Sequence, residues 1–188
     1  MNTELAEFAT LFNLLWYRDF PLARNVRERG RRAEWTTHIA LCVRATADLQ
    51  GYFTHFEAGT RTDAVVKDAS GRPVANIEWE WTQPRAPGFN ELAKLYRSRN
   101  TAAFSALITY SRDEHHEENL LLLRKHWKKA KQPLLAFFVR FNISKGRQFG
   151  NLETYLVQGG EVKLVREQPA LPWEKIGSRW AAAHENDG

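Results

Sequence analysis

Cysteine is almost absent from this chain. Cys42 is the only one, so an internal disulfide and a cysteine-built zinc site are both excluded. Methionine is equally scarce, with one residue. No window approaches the roughly 20 consecutive apolar residues that a membrane helix requires, and the longest apolar stretches, such as 134–139, have the length of a strand. The opening residues, Met1 to Glu7, carry no positive charge ahead of an apolar run, which argues against a secretory signal. Gly-x-Gly-x-x-Gly and Walker-type loops are missing, so nucleoside triphosphate hydrolysis has no support. These absences lead to the expectation of a reduced, cytoplasmic protein without a membrane partner.

What is present is ordinary globular material with a basic bias. The 188 residues are 43% hydrophobic and 26% charged, which excludes wholesale disorder. The 27 Lys and Arg against 22 Asp and Glu give a net charge of +5. Two stretches hold much of the base. Residues 18–32 contain six arginines, and residues 124–147 contain eight Lys or Arg with no acid. Arginine's planar fork matches phosphate, so Arg24, Arg27, Arg29, Arg31 and Arg32 are candidates for holding a nucleic-acid backbone, against a plain solvated face. The second stretch follows Asp113, Glu114, Glu117 and Glu118. Acid at the start and base at the end is what a helix dipole favours, and that explains much of it.

Periodicity sets out the elements. Leu5, Phe8, Phe12 and Leu15 recur at helical steps over 4–16, and Trp35, Ile39, Cys42, Val43 and Leu49 do so over 34–49. Strands are expected at 52–57, 62–67 and 74–81, the last two joined by the turn-rich 68–73. A helix at 90–99, a strand at 104–110, a helix at 114–130 and a strand at 134–141 follow. The chain then gives a hairpin of 152–157 and 162–166 around Gly159 and Gly160. The continuous apolar run of 134–141 marks a strand covered on both faces. The expectation is one α/β domain over 1–188, with a mixed β-sheet flanked by helices. It divides into a basic helical extension (1–33), a core (34–168) and a tail (169–188).

The chemistry concentrates in Asn76, Ile77, Glu78, Trp79, Glu80 and Trp81. Strand alternation turns Ile77, Trp79 and Trp81 into a core and places Glu78 and Glu80 on the opposite, polar face. Asp63 lies on the preceding strand, at an offset that a hairpin brings beside Glu78. An aspartate with two glutamates is a hard-oxygen set, which favours magnesium or manganese over zinc. The bland reading is a solvated acidic face paired with arginines such as Arg61 or Arg85. His115 and His116 lie in an acidic helix start and lack metal-ligand spacing. Cys42 reads as a buried thiol.

This order of elements resembles the PD-(D/E)XK nuclease superfamily, with its restriction-endonuclease-like core. Asp63 matches the family aspartate, and Glu78-Trp79-Glu80 stands where (D/E)-x-K is expected, with glutamate replacing lysine. The resemblance covers roughly residues 34–110. It implies a metal-dependent nuclease acting on DNA, with RNA left open, in which Asp63, Glu78 and Glu80 hold Mg2+ or Mn2+. Lys94 on the next helix would substitute for the missing lysine, and Glu34 would supply an additional acid from the first helix of the core. A small nuclease that cuts two strands is expected to act as a homodimer. The rival expectation is a catalytically inactive copy of the same fold that serves as a nucleic-acid-binding or protein-interaction module.

Overall fold

A computed structural model describes residues 3–20, 32–58, 62–144 and 147–177. Seven strands form one sheet in the order of the chain: β1 (Phe53–Ala58), β2 (Thr62–Lys67), β3 (Pro73–Trp79), β4 (Phe104–Arg112), β5 (Leu134–Ile143), β6 (Arg147–Gln158) and β7 (Glu161–Pro169). The first three are antiparallel neighbours, as are the last three. Between them, β3, β4 and β5 run parallel. Parallel neighbours need crossover helices. These are α3 (Glu91–Ser98) and α4 (His116–Trp127), while α1 (Thr3–Leu15) and α2 (Arg32–Leu49) precede the sheet. The fold is therefore α/β, a mixed sheet flanked by helices, as the periodicity predicts.

Each sheet face has its own apolar layer. On one side Leu5, Phe8 and Phe12 of α1, Trp16 just after it, and Trp35, Ile39 and Val43 of α2 cover Ala75, Ile77, Ile108, Tyr110, Phe137 and Val139. On the other, Leu92 and Leu95 of α3 and Leu123 and Trp127 of α4 cover Leu107, Leu134, Ala136 and Phe138. Alternation along β4 feeds both layers, with Phe104, Ala106, Ile108 and Tyr110 facing α1 and α2, and Leu107 facing the other way. Trp16 and Trp35, at 0% and 1% exposure, belong to the core. Cys42 is buried as expected, and burial pushes its thiol up to about 12. No helix among the described residues is long and apolar enough to cross a membrane.

Turn chemistry sets the strand registers. Asp68 accepts hydrogen bonds from Ser70 and Arg72 backbone N–H groups through Oδ1, at 2.9 and 3.0 Å, and so shapes the β2–β3 turn. The resulting ladder opposes Ala64 to Ile77 and Val65 to Asn76. Gly159 and Gly160 both take positive φ, 62° and 84°, in the tight β6–β7 hairpin that joins Gln158 to Glu161. Several boundaries depart from the sequence expectation, among them β3, which ends at Trp79 rather than 81, and α4, which ends at Trp127 rather than 130. β6 begins at Arg147 rather than 152, because residues 147–151 alternate half-buried with exposed and lack an apolar run. A short 3-10 turn at Asp113–His115 takes up the expected start of the fourth helix.

Candidate functional site

Continuing the β2–β3 register one step from Ala64 opposite Ile77 places Asp63 opposite Glu78, on the sheet face covered by α3. The Asp63 Oδ2 atom accepts a hydrogen bond from the Trp79 backbone N–H at 2.8 Å, which turns the carboxylate along β3 toward its neighbour. Glu78 is wholly buried, at 0% exposure. This overturns the expectation of a solvated polar face: α3 lies over it. The helix delivers Lys94, whose Nζ donates to Glu78 Oε2 at 3.1 Å and to Glu91 Oε1 at 3.4 Å. Glu91 is itself 8% exposed, and its Oε2 accepts the Asn90 backbone N–H at 2.9 Å, closing the first turn of α3.

The electrostatics follow from burial. Desolvation, and next the Asp63 charge, raise the Glu78 carboxyl to about 8, with Lys94 acting in the opposite direction. Burial also raises Asp63, while the Trp79 N–H, Lys94 and a hydrogen bond from Glu78 oppose the rise. Burial and Asp63 thus favour the protonated form of Glu78, and Lys94 favours the ionised one. For Lys94, burial alone would lower the ammonium, and the surrounding carboxylates of Glu78, Glu91 and Asp63 hold it above its usual value instead. One atom is left over. Glu78 Oε1 is buried, and with both carboxyls ionised no N–H or O–H of the described residues donates to it. A buried acceptor of this kind calls for an explanation, such as a water or an ion.

Of the residues singled out from the sequence, Asp63, Glu78 and Lys94 meet. Glu80 does not join them. It lies one residue beyond the end of β3, where strand alternation stops dictating direction. Its carboxylate takes Arg32 Nη2 at 3.0 and 3.3 Å and the backbone N–H of Trp81 at 2.6 Å. Glu34 is exposed in the first turn of α2. Among the described residues no three His, Cys, Asp or Glu side chains are grouped closely enough to hold a metal ion, so neither Glu80 nor Glu34 completes a three-carboxylate centre. Arg24, Arg27, Arg29 and Arg31 lie outside the described residues. The donors that remain still fit a magnesium-class cation. Such an ion takes one or two carboxylates and keeps waters or substrate phosphate at its other positions, and Glu78 Oε1 is a hard donor beside Asp63.

Sequence reasoning missed a second polar cluster on the same sheet face. His116 is 3% exposed; its Nδ1 lies 2.9 Å from Ser111 Oγ, and its Nε2 lies 2.9 Å from Tyr155 Oη and 3.0 Å from Glu153 Oε2. Arg140 Nη1 donates to Glu153 Oε1 at 2.9 Å. Burial alone would raise Glu153, but His116, Tyr155 and Arg140 more than offset it and hold the carboxyl at about 2. The residues come from β4, α4, β5 and β6, and no spacing in the sequence links them.

No family model matches the chain, and no curated protein matches it. Among solved structures it is similar to the YaeQ protein from Xanthomonas axonopodis pv. citri, with 12% identity, a TM-score of 0.26 and coverage of 62% of this chain and 69% of that one. YaeQ from Pseudomonas syringae gives 15% identity and a TM-score of 0.31, over 62% and 67% of the chains. A carbon-nitrogen hydrolase from Helicobacter pylori G27 gives 11% identity and a TM-score of 0.41, over 90% and 82%. Likenesses at this level assign neither fold family nor activity.

Proposed function

We propose that the protein is a metal-dependent nuclease that hydrolyses DNA phosphodiester bonds on a restriction-endonuclease-like core. The supporting observation is the buried Asp63–Glu78 pair, with Lys94 on one Glu78 oxygen and no N–H or O–H of the described residues donating to the other when both carboxyls are ionised. Asp63 and Glu78 would hold Mg2+ or Mn2+, which supplies Lewis-acid polarisation of the phosphoryl group and a nucleophile from bound water. The chain's own residues do the rest. Asp63 is fixed by the Trp79 N–H, so its other oxygen has a set direction. Lys94 counters the negative charge of Glu78 and carries positive charge to the place where a phosphate would dock. Glu80 orients Arg32 at the start of α2, and the arginines from Arg24 to Arg32 would grip the backbone.

A second reading has its own support. Lys94 already offsets the Glu78 charge at 3.1 Å without any cation. That arrangement suits an inactive nuclease-fold module that binds nucleic acid or a protein. Cleavage of supercoiled plasmid and branched DNA with magnesium, then manganese, separates the two. Glu78→Gln is the chosen variant, because Glu78→Ala would leave a cavity and remove the nearest carboxylate from the half-buried Lys94. Under the nuclease reading Glu78→Gln and Asp63→Asn abolish cutting, and Lys94→Ala reduces it less completely. If the wild type cuts nothing under either metal and calorimetry detects no ion binding, the module reading replaces it.

A further inference from the structure

Between the end of β3 and the start of α3 lie residues 80–90. They join the strand that carries Glu78 to the helix that carries Lys94. The helix is short, with 8 residues, and its apolar anchors are Leu92 and Leu95. So short a helix takes its position partly from the segment that feeds it. That segment is fastened at several points. Thr109 Oγ1 donates to the Thr82 carbonyl at 2.5 Å. Gln83 Oε1 accepts the Arg112 backbone N–H at 3.2 Å and Asn119 Nδ2 at 3.1 Å. The Arg85 backbone N–H donates to Asn119 Oδ1 at 3.0 Å.

Asn119 is 0% exposed and uses its whole amide. Its oxygen accepts from Arg85, while its nitrogen donates to Gln83 and, at 2.9 Å, to Ser111 Oγ. An amide with its oxygen and both hydrogens engaged has one orientation. Ser111 in turn bonds His116, which is held by Tyr155 and Glu153. The buried cluster on β4, α4 and β6 is thus the fixed end of a clamp, and the segment 80–90 is the end it holds.

We infer that Asn119 and Gln83 are positioning residues: they fix the segment between β3 and α3 and thereby set Lys94 against Glu78. The catalytic meaning of this clamp rests on the cation-site reading above; its geometry does not. Neither residue touches the carboxylate pair. They act through the loop on Lys94, the cation that reaches the buried carboxylate among the described residues.

The test reads Lys94 directly. Wild type and Asn119→Ala are exposed briefly to an amine-acylating reagent, and modification of each lysine is read by peptide mass spectrometry. Lys94 is guarded by Glu78 and Glu91 in the wild type. In Asn119→Ala its modification should rise several-fold relative to Lys128 and Lys163, which lie away from the clamp. Asn13→Ala serves as a control for general loosening. Asn13 is equally buried, and it bonds Ala9 and Thr154 on the α1 side of the sheet. Gln83→Ala breaks the clamp from the loop side if Asn119→Ala does not fold. Gln83→Glu keeps the acceptor and should restore the wild-type pattern.

Unchanged Lys94 modification in the clamp variants would overturn the inference. So would an equal rise in Asn13→Ala, because Lys94 would then report only lost stability. A manganese titration of the wild type runs in parallel. Failure to bind there sinks the cation reading and leaves the clamp to be judged on the labelling alone.

Discussion

The two faces of the sheet are built on different physics. The face under α1 and α2 is held by rings: Phe12 lies 4.4 Å from Phe137 between centroids, Trp16 lies 6.0 Å from Trp35, and Trp81 lies 4.7 Å from Tyr110. The face under α3 and α4 holds apolar residues at one end and buried polar groups elsewhere, among them Glu78, Thr109, Ser111, His116, Asn119 and Glu153. Apolar burial is non-directional and tolerates imperfect placement, whereas a buried carboxylate requires partners at defined distances. The aromatic face therefore supplies stability. The polar face spends some of it to hold charges in fixed geometry, which is the condition for chemistry.

That contrast can be broken most forcefully on the aromatic side. Phe12→Ala removes a fully buried ring and should destabilise the protein by about 3–5 kcal/mol, measured by urea denaturation. A loss below about 1 kcal/mol would mean the aromatic face is not the main source of stability.

The polar face should show a pH dependence of two opposite signs. Glu153 has a folded-state pKa of about 2, below its ordinary 4.5. Its contribution is present above pH 4.5 and fades as pH falls toward 2. Glu78 is raised to about 8 from the same 4.5. Its contribution is complete below pH 4.5 and is lost as pH rises through 8, because unfolding then releases a proton. Melting temperatures across this range should therefore fall at both ends. Glu153→Gln should flatten the acid limb and Glu78→Gln the alkaline limb. If each variant leaves its own limb intact, the carboxyls are not held as described.

The smallest effect belongs to the rim. Arg32 pairs with Glu80, but its side chain is 70% exposed. Arg32→Ala should change stability by less than about 1 kcal/mol, within reach of a urea titration. A larger loss would make the Glu80 pair part of the framework rather than an edge contact.

The two faces also differ in how far the sequence reveals them. Leu5, Phe8 and Phe12 announce their helix through spacing, and the strand run of 134–141 shows burial on both sides directly. The Asp63–Glu78 pairing is legible too, because the turn at 68–73 fixes which residues oppose each other. Lys94 is marked by its place on the next helix. His116 gave no such signal. Beside His115, Glu117 and Glu118 it reads as part of a polar helix start, and its partners Ser111, Tyr155 and Glu153 lie on three other strand positions.

Local periodicity and turn chemistry, properties of neighbouring residues, by themselves determine the α/β order of elements, the β2–β3 hairpin and the opposition of one aspartate to one glutamate. Only the tertiary structure decides that α3 covers Glu78 and buries it, that Glu80 turns instead to Arg32, and that Asn119 joins the loop after β3 to a cluster spanning β4 and β6. The reason is physical. Those outcomes depend on which helix lies over which part of the sheet, and a polar side chain carries no periodic mark of the partner it will meet there.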